Sequence, residues 1–317
     1  MRLGRVHWKK FEKFLLSVGC EFISEEGDHR KYHKPGLLRP IIIPREKELP
    51  QFIILNNLRI LGMSRDEYLK IISKLQTSTQ SAMMSPTDLT FGKRVYGFLA
   101  NLDEPKNLPR GIEIINPYRA PQVLNYCERF FNQYFADTHK RVFVLGINPG
   151  RFGSGATGIP FTDPVILEHI CGIRNDLTKR RELSASYIYE FVERWGGPGA
   201  FYQKFFLTAI CPLGFLRNGI NCNYYDERSL LTAVQSFIVH SLKRQVAFGA
   251  HHAAAIVLGT GRNQKAFVEL NSKHHFFDKL YALEHPRFIM QYKRTQISEY
   301  IEKYYHTFSQ ALIDVRG

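Results

Sequence analysis

Three apolar runs beyond residue 140 each end on a proline beside a side chain able to do chemistry. Val142-Phe143-Val144-Leu145 leads into Gly146-Ile147-Asn148-Pro149-Gly150, the run 205–210 into Cys211-Pro212-Leu213, and the run 279–283 into Glu284-His285-Pro286-Arg287. A buried strand that stops at Asn-Pro-Gly delivers an amide to the carboxyl edge of a sheet, where open α/β folds bind their ligands. The Asn148 amide can hold a water or the edge of a base, and Pro149 fixes one backbone angle so that the turn is stiff. His285 adds a group that can donate or accept a proton near neutral pH. Neither residue is specific alone. The five residues from Gly146 also suit an ordinary strand-to-loop turn, and a lone His-Pro also suits a surface histidine with local partners. Convergence of the three segments on one cleft is what would make them a site.

The elements that must position these groups alternate between helical and strand patterns. Helical spacing covers 91–102, 120–135 and stretches between 164 and 195, with strands predicted at 142–145, 205–210, 254–258 and 279–283. That rhythm predicts crossover connections and a mostly parallel sheet. Ahead of it lies a different pattern. Trp8, Phe11, Phe14, Leu15 and Val18 recur at helical spacing and Gly19 follows as a stop. Three short strands are predicted at 21–24, 30–33 and 40–44, separated by Gly27 and Pro35-Gly36, which implies a small meander. Leu49-Pro50 opens a helix through Leu58 and Ile60, and Ser64-Arg65-Asp66-Glu67 has the form of a capping box. The polar, small residues from Gln76 to Ala82 read as a linker. The expected organisation is therefore a domain at 1–74, a linker at 75–90 and a domain at 91–317.

Composition narrows the partners. The chain has 317 residues, 44% of them apolar, and a formal charge of +14, shared between the two domains. Such an excess of Lys and Arg fits a polyanion, nucleic acid first, with solubility as the alternative. Five cysteines, Cys20, Cys127, Cys171, Cys211 and Cys222, contain no Cys-x-x-Cys pair, so neither a disulfide framework nor a thiolate cluster is signalled and a reducing cytoplasm is expected. No window approaches a membrane span and the apolar run at 14–18 is too short for a signal peptide core, so no membrane partner is expected. The adjacent pairs His251-His252 and His274-His275 lack the spacing and carboxylates of a metal site, so no metal and no cofactor is implied.

Gly146 to Gly153 together with Thr157-Gly158-Ile159-Pro160-Phe161, then Cys211-Pro212-Leu213, Gly259-Thr260-Gly261-Arg262 and His285-Pro286, resemble the motifs of the uracil-DNA glycosylase superfamily. The resemblance is closest to its single-strand-selective monofunctional branch and covers about residues 85–315. It implies a three-layer α/β fold with a central, mostly parallel sheet, which flips a damaged nucleotide out of DNA and hydrolyses its bond to deoxyribose. As that bond breaks the sugar becomes oxocarbenium-like and the base takes negative charge, so the site needs an oriented water on one side and a donor on the other. Asn148 would position the water and His285, as a neutral imidazole, would donate to the departing base. Phe161 would stack on the extruded base, with Ile147, backbone amides around Gly150, and Thr208 lining its pocket. Arg151 and Arg287 would contact nucleic acid, and Phe288 is a candidate to fill the gap left in the stack. An amide orients water but is a poor base, and no lysine occupies the first motif, so hydrolysis leaving an abasic site is expected. The family places a base-reading asparagine two residues before Cys-Pro-Leu, and this chain has Ala209 there. Base reading would then fall to backbone groups, Thr208, or Asn221 and Asn223, and hypoxanthine or xanthine join uracil as candidate substrates.

Gly27-Asp28-His29, the strand at 40–44, Lys47-Glu48-Leu49-Pro50 and Asn56-Asn57-Leu58-Arg59 resemble the HicA family of toxin-antitoxin systems, over about residues 5–73. That resemblance implies a small α+β fold like double-stranded-RNA-binding domains, messenger RNA as substrate and an antitoxin as partner. His29 stands at the family's catalytic position, where it would activate a ribose 2′-hydroxyl, and Arg30, Lys31 and Lys34 would hold phosphates. A domain that binds nucleic acid without cutting it fits the same residues. For the whole chain the alternatives are a non-catalytic nucleic-acid-binding protein that keeps a base pocket, a toxin-type endoribonuclease whose second domain serves DNA binding, and a free-nucleotide enzyme using Gly259-Thr260-Gly261 as a phosphate turn.

Overall fold

The computed structural model describes residues 6–72 and 89–316. The chain divides into two compact units, 1–87 and 88–317, each with its own apolar core. The stretch read as a linker lies, up to residue 88, outside the described residues.

In the first unit α1 (Trp8–Ser17) buries Trp8, Phe11, Phe14 and Leu15 on one face. Strands β1 (Glu21–Glu26), β2 (His29–His33) and β3 (Ile41–Pro44) form an antiparallel sheet in that order. Helix α2 (Gln51–Ile60) packs Ile54 and Leu58 inward. A further helix, α3, covers residues 65–72. Its start is a reciprocal box: the Ser64 backbone N–H donates to Glu67 Oε2 at 2.8 Å and the Glu67 N–H to Ser64 Oγ at 3.3 Å.

The second unit is a three-layer α/β fold. Helix α4 (Phe91–Ala100), capped by Thr90, is followed by β4 (Ile112–Ile115), a 3-10 turn at Pro117–Arg119 and α5 (Pro121–Tyr134). Strand β5 (Arg141–Gly146) is buried along its whole length. After it come α6 (Ser154–Thr157), α7 (Pro164–His169), α8 (Leu183–Arg194), α9 (Gly197–Tyr202) and β6 (Phe205–Ala209). A hairpin of β7 (Gly214–Arg217) and β8 (Ile220–Cys222) precedes α10 (Arg228–Val246) and β9 (Ala250–Leu258). The chain ends with α11 (Arg262–His274), β10 (Lys279–Leu283), α12 (Pro286–Tyr292) and α13 (Ile297–Asp314).

The central sheet has the order β10-β9-β5-β6 and is parallel throughout. Parallel strands covered on both faces must be apolar at consecutive positions, which is why 142–145 shows no alternation. On one face Phe143 and Phe206 pack against Phe91 of α4; on the other Phe205 packs against Trp195, Phe201 and Phe308. The chain leaves β5 for β6 on one side and later returns to β9 on the other, so the strand order reverses at β5. A crevice opens at that place beyond the carboxyl ends of the strands. A second sheet, antiparallel β4-β7-β8, was not expected from the sequence. Its strands have three or four residues, too few for a period of two to register against their flanking loops.

Candidate active site

The crevice is a cavity of about 840 Å³ whose walls include Asn148, Phe161 and His285. The β5–β6 pairing runs past the regular strands, with the Ile210 N–H on the Gly146 carbonyl at 3.0 Å and the Cys211 N–H on the Ile147 carbonyl at 3.1 Å. Asn148 therefore starts from a backbone held by the continuation of β6. Its side chain is then clamped by the end of β8 and the turn after it: Oδ1 accepts from the Tyr224 N–H at 3.0 Å, and Nδ2 donates to the Cys222 carbonyl at 3.3 Å. A backbone N–H can only donate and a carbonyl only accept, so these partners fix which end of the amide is oxygen. Nδ2 also donates a long bond to the Pro149 carbonyl at 3.5 Å, so among the described residues it is a lone pair on Oδ1 that remains for a ligand. Tyr224 is itself fixed, its hydroxyl donating to Asn263 Oδ1 at 3.1 Å while Asn263 Nδ2 donates to the Leu258 carbonyl at 3.1 Å. Both residues are buried.

Phe161 faces this turn from the loop after α6. It adopts φ 53°, a left-handed conformation that costs a bulky residue on the order of 1–3 kcal/mol and persists only where the surroundings hold it. The ring lies against Gly146, where an added Cβ would come within 2.7 Å of Phe161 Cζ. A side chain at 146 would displace it. Its centroid is 5.9 Å from that of His285.

His285 is half-buried and caps α12, with Pro286 at the first helical position. Its Nδ1 accepts the Arg287 backbone N–H at 3.2 Å. The ring proton of the neutral form must then sit on Nε2, which has no protein partner among the described residues. Burial, and secondarily the Arg287 charge, lowers the imidazole pKa to about 4, so the ring is neutral at pH 7. The strand end before it is pinned from α13: the Tyr304 hydroxyl donates to the Glu284 carbonyl at 2.5 Å and Lys303 pairs with the Glu284 carboxylate at 2.8 Å.

The middle segment differs from the sequence expectation. Cys211 points into the core, fully buried, and burial pushes its thiol up to about 12. The groups this segment gives to the cavity are Thr208, Ala209 and Pro212. Of the other candidates, Asn221 Oδ1 is engaged by the Arg151 N–H at 3.2 Å, and Asn223 is held by Asp226. The Gly259-Thr260-Gly261 turn is not part of the cavity wall.

The mouth is cationic and aromatic. Arg151, Arg180, Arg181 and Arg287 border it, and the Phe152 ring has the Arg180 guanidinium 3.5 Å and the Arg151 guanidinium 4.5 Å from its centroid. On α12, Phe288 and Tyr292 are 42% and 71% exposed with ring centroids 5.4 Å apart, so two large apolar side chains stand at the rim.

The family model of the uracil DNA glycosylase superfamily matches residues 133–309, more than half of the chain. The chain belongs to the uracil-DNA glycosylase superfamily. A crystal structure of wild-type SMUG2 from Pedobacter heparinus is 42% identical, with a TM-score of 0.68, and the match covers 70% of this chain and 98% of that one. The HicA toxin family model matches residues 8–63, so the first unit is HicA-like. Comparison with curated proteins gave no match.

All eight candidates from the glycosylase unit, Asn148, His285, Ile147, Gly150, Phe161, Thr208, Arg151 and Arg287, lie on the one cavity. In the HicA-like unit His29 begins β2 at the hairpin tip, and Asp28 Oδ1 lies 2.6 Å from its Nδ1. Arg30 differs from the expected open phosphate contact. Its guanidinium pairs with Glu25 at 2.7 Å and Glu12 at 3.1 Å and lies 4.4 Å from the Phe22 ring centroid, while Lys31 pairs with Glu26 at 2.7 Å. The alternating charges of β1 and β2 match across the antiparallel register, Glu25 opposite Arg30 and Glu26 near Lys31, which a strand-by-strand reading does not reveal. Sequence reasoning also missed Tyr224, Asn263, Gln245 and the arginines 180 and 181. The run Lys179-Arg180-Arg181 was visible as a local charge cluster; the others carry no local signal.

Proposed function

We propose that the glycosylase unit removes uracil or another deaminated base from DNA by flipping the nucleotide and hydrolysing its N-glycosidic bond. The observation that carries this reading is the pair of fixed polarities across the cavity: Asn148 with a free Oδ1 lone pair, and His285 with a free Nε2–H. The flipped base stacks on Phe161. The bond from C1′ to the base nitrogen breaks with its electron pair going to the base, and the Nε2–H of neutral His285 stabilises the charge that builds there. Water held by Asn148 Oδ1 bonds to C1′ and releases a proton to solvent, and the departed base anion takes one up from solvent, leaving free base and an abasic sugar. Asn148 orients and His285 donates a hydrogen bond, so most of the rate comes from preorganised electrostatics. Arg151, Arg180, Arg181 and Arg287 hold the flanking phosphates, and Phe288 and Tyr292 fill the space the base vacates.

The test is release of free base from single- and double-stranded oligonucleotides carrying uracil, hypoxanthine or xanthine. Asn148→Ala and His285→Ala should each lose about 10²-fold or more in kcat, the scale of a lost transition-state contact. Wild-type inactivity on every lesion would refute the reading and leave a non-catalytic base pocket.

A second activity is supported by one contact in the HicA-like unit. A carboxylate oxygen only accepts, so Asp28 places the ring proton of His29 on Nδ1 and leaves Nε2 as a base, the opposite polarity to His285. His29 then takes the proton of a ribose 2′-hydroxyl, whose oxygen bonds to the adjacent phosphorus as the P–O5′ bond breaks and the leaving 5′-oxygen takes a proton from solvent; an antitoxin-type protein is the partner expected to restrain it. RNA cleavage should disappear in His29→Ala; cleavage that survives removes the role.

A further inference from the structure

Behind Asn148 and His285 the cavity continues past the carboxyl end of β6 to Gln245, which reaches it from the last turn of α10 and is 1% exposed. Gln245 Oε1 accepts from Thr208 Oγ1 at 2.5 Å, and Gln245 Nε2 donates to the Ala209 carbonyl at 3.3 Å. These two bonds settle the sense of the amide. The Ala209 carbonyl can only accept, so the nitrogen faces Ala209 and the oxygen faces Thr208. The Thr208 proton is thereby committed to Gln245, and its hydroxyl meets the cavity as an acceptor. One N–H of Gln245 remains unmatched beside it among the described residues. Ala209 contributes only a methyl group, so no side-chain polar atom of that residue competes.

We propose that Gln245 and Thr208 are the base-reading pair of this site, Gln245 Nε2 donating and Thr208 Oγ1 accepting, matched to the adjacent C=O and N–H that deamination creates on a base. The proposal rests on the glycosylase reading above and names the group that tells its substrates from cytosine and adenine. Cytosine and adenine present an amino group where the deaminated base has its carbonyl, and a ring lone pair where it has N–H. They set donor against donor and acceptor against acceptor. For the reader to reverse, Thr208 would have to turn its proton into the cavity, leaving the buried Gln245 Oε1 without a donor, a state native interiors avoid. The device recognises a lactam edge and not a ring size, so one pair serves uracil and deaminated purines alike.

The competing role is a cross-link between α10 and β6 with no contact to the base. Three measurements on the full-length chain separate them: kcat/KM on a uracil oligonucleotide, inhibition by free uracil, and affinity for an abasic-site oligonucleotide. Gln245→Leu should lower kcat/KM by about tenfold or more, the scale of one buried hydrogen-bond mismatch, and weaken free-uracil inhibition in proportion while abasic-site affinity holds. Thr208→Val should do the same and Thr208→Ser should restore both, a pair that carries the test if Gln245→Leu does not fold. Unchanged free-uracil inhibition, or equal losses in all three measurements, overturns the proposal while leaving the glycosylase reading in place. A wild type that releases no base from any lesion overturns both.

Discussion

At the scale of single residues the site is a set of hydrogen-bond polarities fixed by neighbours that have no choice. His285 is the clearest case, because the backbone N–H it caps assigns its proton to Nε2 and its surroundings hold the ring neutral. With a pKa lowered to about 4, base release should stay flat as pH falls through the ordinary histidine range near 6.5 and decline only near 4; a pH profile of kcat with an acid limb at 6.5 contradicts this. The sign for stability follows from the same shift. Below 6.5 the unfolded chain binds a proton at this histidine that the folded chain refuses until about 4, so folding weakens as pH falls across that window. Denaturant titrations of His285→Ala between pH 7 and 4 should lose that part of the decline. Tyr224→Phe removes the hydroxyl bond to Asn263 that steadies the Asn148 clamp, and kcat should fall about tenfold with KM held.

At the scale of elements, two short pieces do the positioning. The β7–β8 hairpin and the turn after it supply the carbonyl and N–H that hold Asn148, and the hairpin can approach the first motif because Gly214 has no side chain: a Cβ there would lie 2.2 Å from the Pro149 carbonyl oxygen. Gly214→Ala should therefore cost about 1–3 kcal/mol in denaturant unfolding and lower kcat as the turn shifts. Gly199→Ala is the control, since it sits within α9 with nothing within 4 Å and should be neutral or stabilising by up to about 1 kcal/mol. Helix α12 presents Phe288 and Tyr292 at the rim. If these rings replace the flipped base in the stack, the double alanine variant should lose more activity on duplex than on single-stranded DNA, where there is less stacking to restore. Equal losses on the two substrates would count against that role. The elements themselves were legible in part. Helix α1, the capped start of α3, β5 and β10 follow from spacing and caps, whereas β4, β7 and β8 are too short and too dependent on pairing to register.

At the scale of the whole molecule, the +14 charge takes a local form at the cavity mouth, where four arginines gather. Four phosphate contacts on duplex DNA predict a slope of about −3.6 in log K against log salt, and Arg151→Ala should make it shallower by about one. A flat response would remove nucleic acid as the partner. Because each unit closes its own core, residues 91–317 expressed alone should retain base release at the full-length rate. Loss of activity on truncation would mean that the HicA-like unit contributes to the glycosylase site.

The sequence by itself determined the superfamily, the central sheet and the eight residues that meet on one cavity, because apolar strands ending in Asn-Pro-Gly and His-Pro are local patterns that survive being read one segment at a time. Tertiary structure alone decided their polarity. The partners that orient the Asn148 amide come from β8 and the turn after it, and the pair formed by Thr208 with Gln245 joins a strand end to a distant helix. Hydrogen bonds between residues 37 to 76 positions apart leave no trace in local spacing. The two histidines differ through near neighbours instead: Nδ1 accepts the Arg287 N–H in His285 and donates to Asp28 in His29, and the local backbone each fold imposes decides which of these contacts forms.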